Sequence, residues 1–89
     1  MILSQTKTFI KDSKKLKMSD KHFTRFVQFL SLLSRSEELP PEAKDHELKG
    51  DWVDFREFHI SGDLLVIYQL EGTTVKLVRI GTHNQLFKG

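Results

Sequence analysis

The chain has no cysteine, so neither a disulfide framework nor a thiolate zinc site can hold it together. It has only two prolines and five glycines, too few for a collagen-like or low-complexity chain. Long apolar runs are also missing. Met1-Ile2-Leu3 gives way at once to polar and basic residues, so there is no signal-peptide core and no spanning stretch of about 20 apolar residues. A cytoplasmic protein without membrane contact is expected. At 89 residues against the usual domain of about 100 to 150, two cores do not fit, and a single domain over 1–89 is expected. With 38% hydrophobic residues the chain can still bury a core, so it is not compositionally disordered.

An excess of one charge is missing too, since the net charge is +2, but the charges are segregated. Residues 1–35 hold eight Lys/Arg against two Asp, and residues 36–63 hold nine Asp/Glu against three Lys/Arg. A basic first third can follow phosphates. Charge runs are more often solvated helix faces, so this pattern supports a nucleic-acid reading without carrying it.

Phe9, Ser13 and Leu16, and then Phe23, Phe26, Val27, Leu30 and Leu33, recur at helical spacing, which predicts two amphipathic helices. Ser19 or Asp20 is available to cap the second. Lys7, Lys11, Lys14 and Lys15 give the first a basic outer face. Pro40 and Pro41 break the helical pattern. Beyond them Trp52 to Ile60, Leu64 to Leu70 and Val75 to Ile80 read as strands, separated by the turn sequences Ser61-Gly62-Asp63 and Glu71-Gly72-Thr73. Connections this short make neighbouring strands antiparallel. With Met1 to Leu3 as an additional strand, the expected class is α+β: two N-terminal helices packed on one face of a small, mainly antiparallel sheet of three to four strands. The opposite face is left for function.

Arg56, Glu57 and His59 interrupt one apolar strand, and Arg79 interrupts another. Strands that carry such charges mark a site on the exposed face. His46, His59 and His83 fall near strand ends or in the loops feeding them, where catalytic groups concentrate, whereas His22 lies apart on the second helix and receives no role. Cleavage of RNA without metal needs a base for the ribose 2′-OH, cations for the phosphorane's charge and an acid for the 5′-oxygen. Histidines suit the proton transfers, Arg79 and Arg56 the charge, Asp63 the orientation of a histidine, and Phe87 the stacking of an unpaired base. A surface or structurally satisfied histidine, and a Phe87 that simply closes the core, are the plainer alternatives. His59 and Asp63 are four residues apart, but a turn separates them and no third ligand is near. Neither a metal nor another cofactor is expected.

The segments Asp45-His46-Glu47-Leu48-Lys49-Gly50-Asp51-Trp52, Phe55-Arg56-Glu57-Phe58-His59-Ile60, Asp63-Leu64-Leu65-Val66-Ile67-Tyr68 and Leu77-Val78-Arg79-Ile80-Gly81-Thr82-His83-Asn84-Gln85-Leu86-Phe87 together resemble the YafQ branch of the RelE/ParE toxin superfamily. The match covers about half the chain at motif level. The resemblance implies a toxin of a toxin–antitoxin pair that cleaves messenger RNA on the ribosome and is neutralised by a small antitoxin, with which it forms a hetero-oligomer. It also implies that His46, His59 and His83 are the catalytic or RNA-contacting histidines, Asp63 the acidic member, Arg79 the phosphate-stabilising cation and Phe87 the stacking aromatic. One departure stands out: some relatives have Trp after the aspartate, where this chain has Leu64, so a stacking surface is absent at that point. Two other readings stay open: a ParE-like toxin that poisons its target by binding, and a plain nucleic-acid-binding module.

Overall fold

The structure is a computed structural model that describes residues 1–87. Strand β1 (Ile2–Gln5) leads into helices α1 (Lys7–Lys15) and α2 (Asp20–Ser34). Four more strands follow, β2 (His46–Glu47), β3 (Arg56–His59), β4 (Leu64–Glu71) and β5 (Thr74–Thr82), and the described residues end in a short helix, α3 (His83–Phe87). The fold is therefore α+β as expected, but its sheet has five strands rather than three to four, in the order β1-β5-β4-β3-β2. Strand β1 runs parallel to β5, and the other three pairings are antiparallel.

The differences from expectation have local causes. Trp52 closes a 3-10 turn (Gly50–Trp52) and Asp54 sits at φ 78°, so the strand expected from Trp52 begins only at Arg56. Strand β2 is two residues long, too short to leave a period in the sequence. Between β4 and β5, Gly72 takes φ 56°, which makes the two-residue reversal inexpensive where a side chain would be strained.

Both main helices begin on hydroxyl caps. Thr6 Oγ1 accepts the Phe9 N–H at 3.0 Å and donates to the Val78 carbonyl at 2.9 Å, tying the start of α1 to β5. Ser19, not Asp20, caps α2 by accepting the His22 N–H. The helices cover one face of the sheet. Phe9, Phe29 and Leu33 pack there on Phe58, Ile60, Val66, Tyr68, Val75, Leu77 and Ile80. Helix α2 is rotated from the expected stripe, burying Phe29 while Phe23 and Val27 stay exposed.

Where this core meets the acidic segment, the Tyr68 hydroxyl donates to Asp45 Oδ1 at 2.6 Å, and Arg56 Nε donates to the Tyr68 oxygen at 3.2 Å and lies 3.4 Å from the same carboxylate. Burial pushes the Tyr68 pKa above the ordinary phenol range, and the hydrogen bond to Asp45 adds to it. Burial opposes the charge on Arg56, but the contacts with Tyr68 and Asp45 outweigh it and its pKa is raised. Because the folded pKa of Tyr68 lies above the unfolded one, its contribution to stability is complete below about pH 10 and is lost as pH rises further. Tyr68 is the chain's one tyrosine, so phenolate absorbance reports on it alone. The native protein is expected to show no phenolate where a free phenol is half ionised, and Tyr68→Phe to flatten the alkaline loss of stability. Phenolate appearing near pH 10 with the fold intact would contradict this.

Candidate functional site

Residues in register across antiparallel strands share a face of the sheet. His46 is in register with Glu57, Glu57 with Ile67, and Ile67 with Arg79, while His59 is in register with Leu65 and Leu65 with Gly81. Phe58, between Glu57 and His59, points to the helix-covered side. The polar members of β3 therefore emerge on the face away from α1 and α2, where a smaller cluster of Leu65, Ile67 and Leu86, with Trp52, Phe55, Val78 and Phe87 against it, is the local apolar support.

Glu57 is the centre of this face. It is only 4% exposed, and its two oxygens address two imidazoles: Oε1 lies 3.4 Å from His46 Nε2 and Oε2 lies 3.1 Å from His59 Nε2. The approach to His59 is close but poorly aligned, so Oε2 is buried without a proper hydrogen bond. Charged groups seldom stay buried on such terms for stability's sake. His46 Nδ1 lies 2.6 Å from the Lys44 carbonyl, which can only accept, so this nitrogen carries a proton. The Nε2 facing Glu57 is then bare in neutral His46 and becomes a donor when the ring is charged. The two rings are 6.5 Å apart between centroids, and His46 is open to solvent while His59 is mostly covered.

His83 opens α3 at the rim of the same face. Asp63, in the β3–β4 turn, accepts the His83 backbone N–H at 3.2 Å, so it fixes the position of this residue through the main chain rather than through the ring. The His83 ring lies 4.8 Å from the Phe87 ring, which meets Trp52 edge-on at 6.0 Å. Phe87 thus has one side in the small cluster and one side beside a histidine. Gly81, near the end of β5, faces the free end of the Gln85 side chain. A Cβ there would lie 2.7 Å from Gln85 Oε1, the oxygen that accepts the Thr82 N–H.

The two arginines separate. Arg79 shares the histidine face by register, about 10 Å from Glu57 across two strand spacings, and Asp12 of α1 holds it side-on through Nε at 2.7 Å and Nη2 at 3.1 Å. The hydrogen bond to Asp12 raises its pKa against the opposing effect of burial. Arg56 does not join the site. Strand alternation turns it to the side opposite Glu57, where Asp45, Tyr68 and Glu47 engage it, and the expectation that it stabilises charge on a reacting phosphate is corrected accordingly. Sequence reasoning missed Glu57 as a partner of the histidines, although its offset of two from His59 on a strand was the signal. It also missed Trp52, whose proximity to Phe87 no local pattern encodes. Among the described residues no group of three or more His, Asp or Glu side chains is arranged to hold a metal ion.

Comparison with known proteins places the family and the fold. The family model described as "Bacterial toxin of type II toxin-antitoxin system, YafQ" matches residues 1–88. The mRNA interferase toxin YafQ of Escherichia coli strain K12 is 32% identical over 80 residues, covering 89% of this chain and 87% of the relative. A copper-bound mutant toxin from Helicobacter pylori superposes with a TM-score of 0.88 at 35% identity, covering 97% of this chain and 98% of that one. A YafQ chain in the E. coli DinJ–YafQ complex does so with a TM-score of 0.81 at 30% identity, covering 96% of each chain. Motifs, fold and relatives thus agree, and the chain belongs to the YafQ family of bacterial toxins of type II toxin–antitoxin systems.

Proposed function

We propose that this protein is a ribosome-dependent endoribonuclease that cleaves messenger RNA by metal-independent histidine acid–base chemistry, and that a cognate antitoxin silences it. The observation that carries the reading is Glu57, buried between His46 and His59 on the sheet face that the main helices leave open. A carboxylate in that place orients imidazoles for proton transfer, and poor alignment without substrate is usual in such sites. The relatives called mRNA interferase toxins and the DinJ–YafQ complexes support the substrate and the partner. Among the described residues no helix is long and apolar enough to cross a membrane, which fits an enzyme working on cytoplasmic ribosomes.

In this reading His59 and His83 share the base and acid steps. One takes the proton from the ribose 2′-OH as its oxygen attacks the adjacent phosphorus, and the other protonates the departing 5′-oxygen. The products are a 2′,3′-cyclic phosphate and a 5′-hydroxyl. Arg79 meets the charge that develops on the phosphorane, His46 contacts phosphate or assists proton transfer at the edge, and Phe87 with Trp52 offers ring faces to a base. Asp63 holds His83 where it can act. A domain of this size grips RNA weakly alone, and the ribosome supplies the positioning that makes cleavage fast. The basic face of α1 is the surface for ribosomal RNA.

Primer-extension mapping of a reporter mRNA in a purified translation system tests this. Wild type is expected to cut at fixed codon positions only when ribosomes are present, and His59→Gln and His83→Gln are each expected to lose about 10²- to 10⁴-fold in rate. Translation blocked over intact mRNA would show a binding toxin instead. Glu57→Gln separates the buried carboxylate's role from folding. The isosteric amide keeps the shape of the buried side chain, so the fold is expected to persist in a thermal melt while cleavage slows about 10- to 100-fold. A variant that melts early yet cleaves normally would make Glu57 a structural residue.

A further inference from the structure

The contact between Arg79 and Asp12 is built in a way that the proposed chemistry has not used. Strand β1 ends at Gln5, in register with Leu77, whereas β5 continues to Thr82. The stretch of β5 that carries Arg79 therefore has no strand beside it on that edge, and its register on β4 also slips at this point. Asp12 stands in the place of the missing strand. Its Oδ2 accepts the Ile80 N–H at 3.1 Å as well as Arg79 Nε, and its Oδ1 accepts from Arg79 Nη2. One carboxylate thus pins both the backbone beside Arg79 and the guanidinium itself.

Side-on pairing uses the Nε and Nη2 edge of a guanidinium and leaves the Nη1 end free. No residue among those described accepts from Arg79 Nη1. Arg79 also lines a cleft of about 190 Å³ with Asp12, Lys15, Leu16, Ile80 and Gln85, so solvent and ligand reach it. Asp12 is mostly covered and Arg79 about a quarter exposed, with relative side-chain accessibilities of 15% and 28%, which is the arrangement of a fixed base and an open tip.

We propose that Asp12 is a positioning residue for Arg79, clamping one edge of the guanidinium so that the other meets the phosphorane oxygens of the RNA without first being ordered. An arginine's rotamer freedom is costly to remove during a reaction, and a preorganised cation stabilises transition-state charge better than a mobile one. The inference rests on the reading of Arg79 as the charge-stabilising cation.

The test is steady-state cleavage of mRNA on programmed ribosomes by Asp12→Asn, Asp12→Glu, Arg79→Lys and the double variant Asp12→Asn/Arg79→Lys, with a thermal melt of each. Asn is isosteric and still accepts from Ile80, but it turns an N–H₂ or a neutral oxygen to Arg79. Its kcat is expected to fall about 10- to 100-fold with KM within about threefold and the melting temperature nearly unchanged, and Asp12→Glu should recover part of the loss. In the Arg79→Lys background, where no fork remains to be clamped, Asp12→Asn should cost less than about twofold more, the non-additivity of two groups acting as one. An unchanged kcat in Asp12→Asn while Arg79→Lys is impaired would overturn the proposal and leave the ribonuclease reading intact. So would a higher kcat, which would mean that Asp12 competes with phosphate for Arg79, or an equal loss in both backgrounds. Wild-type cleavage by Arg79→Lys would remove the role of Arg79 and this inference with it. If Asp12→Asn melts too low to assay, Asp12→Glu decides in the same way: a loss confined to the Arg79 background upholds the clamp, and an equal loss in both overturns it.

Discussion

Successive side chains of a strand point to opposite faces, and in β3 this alternation leaves Glu57 and His59 no choice once Phe58 and Ile60 are buried under the helices. The carboxylate and the imidazole that β3 contributes to the site are placed by that sorting. The registers with β2 and β5 then bring His46 to Glu57 and set Arg79 two strands away on the same side. A slip of one residue in β3 would put a carboxylate and an imidazole into the main core and Phe58 into solvent, a change the fold cannot tolerate. The geometry of the site is thus secured by hydrophobic burial on the opposite side of the same strands.

The cost of the arrangement is concentrated in one group. Glu57 is withdrawn from water between two imidazoles that engage it imperfectly, whereas Asp12 accepts two hydrogen bonds from Arg79 and one from the Ile80 N–H, and Asp45 accepts from the Tyr68 hydroxyl at 2.6 Å. A buried polar atom left without a partner, as Glu57 Oε2 is, calls for a reason other than stability. The face that carries it is open and built on small apolar support, so it suits a long polymer held from outside better than a small molecule enclosed by the protein.

Legibility in the sequence followed the length of each pattern. Helices α1 and α2 and strands β4 and β5 each repeat an apolar period over several residues, and all were readable. Strand β2 and the start of β3 were not, because two residues carry no period and the positive φ of Asp54 is a tertiary demand. Parallel β1 was readable only as a fragment, since its partner lies some seventy residues along the chain. The histidines of the candidate site were legible by chemistry and spacing, Glu57 only as a misplaced charge, and the Asp12–Arg79 pair not at all, because no local pattern joins α1 to β5. Arg56 shows the converse: a cation beside a site residue in sequence stands on the other face of the sheet in space.

The most direct test of the account is the chemistry of the cut ends. Attack by the 2′-oxygen with proton transfer through histidines leaves a 2′,3′-cyclic phosphate on the upstream fragment and a free 5′-hydroxyl on the downstream one. Analysis of mRNA fragments released by the protein from translating ribosomes, by mass and by susceptibility to 5′-end labelling without prior dephosphorylation, should find both. Fragments ending in a 3′-hydroxyl and beginning with a 5′-phosphate would mean attack by water instead, and would contradict the roles assigned to His59, His83 and Glu57.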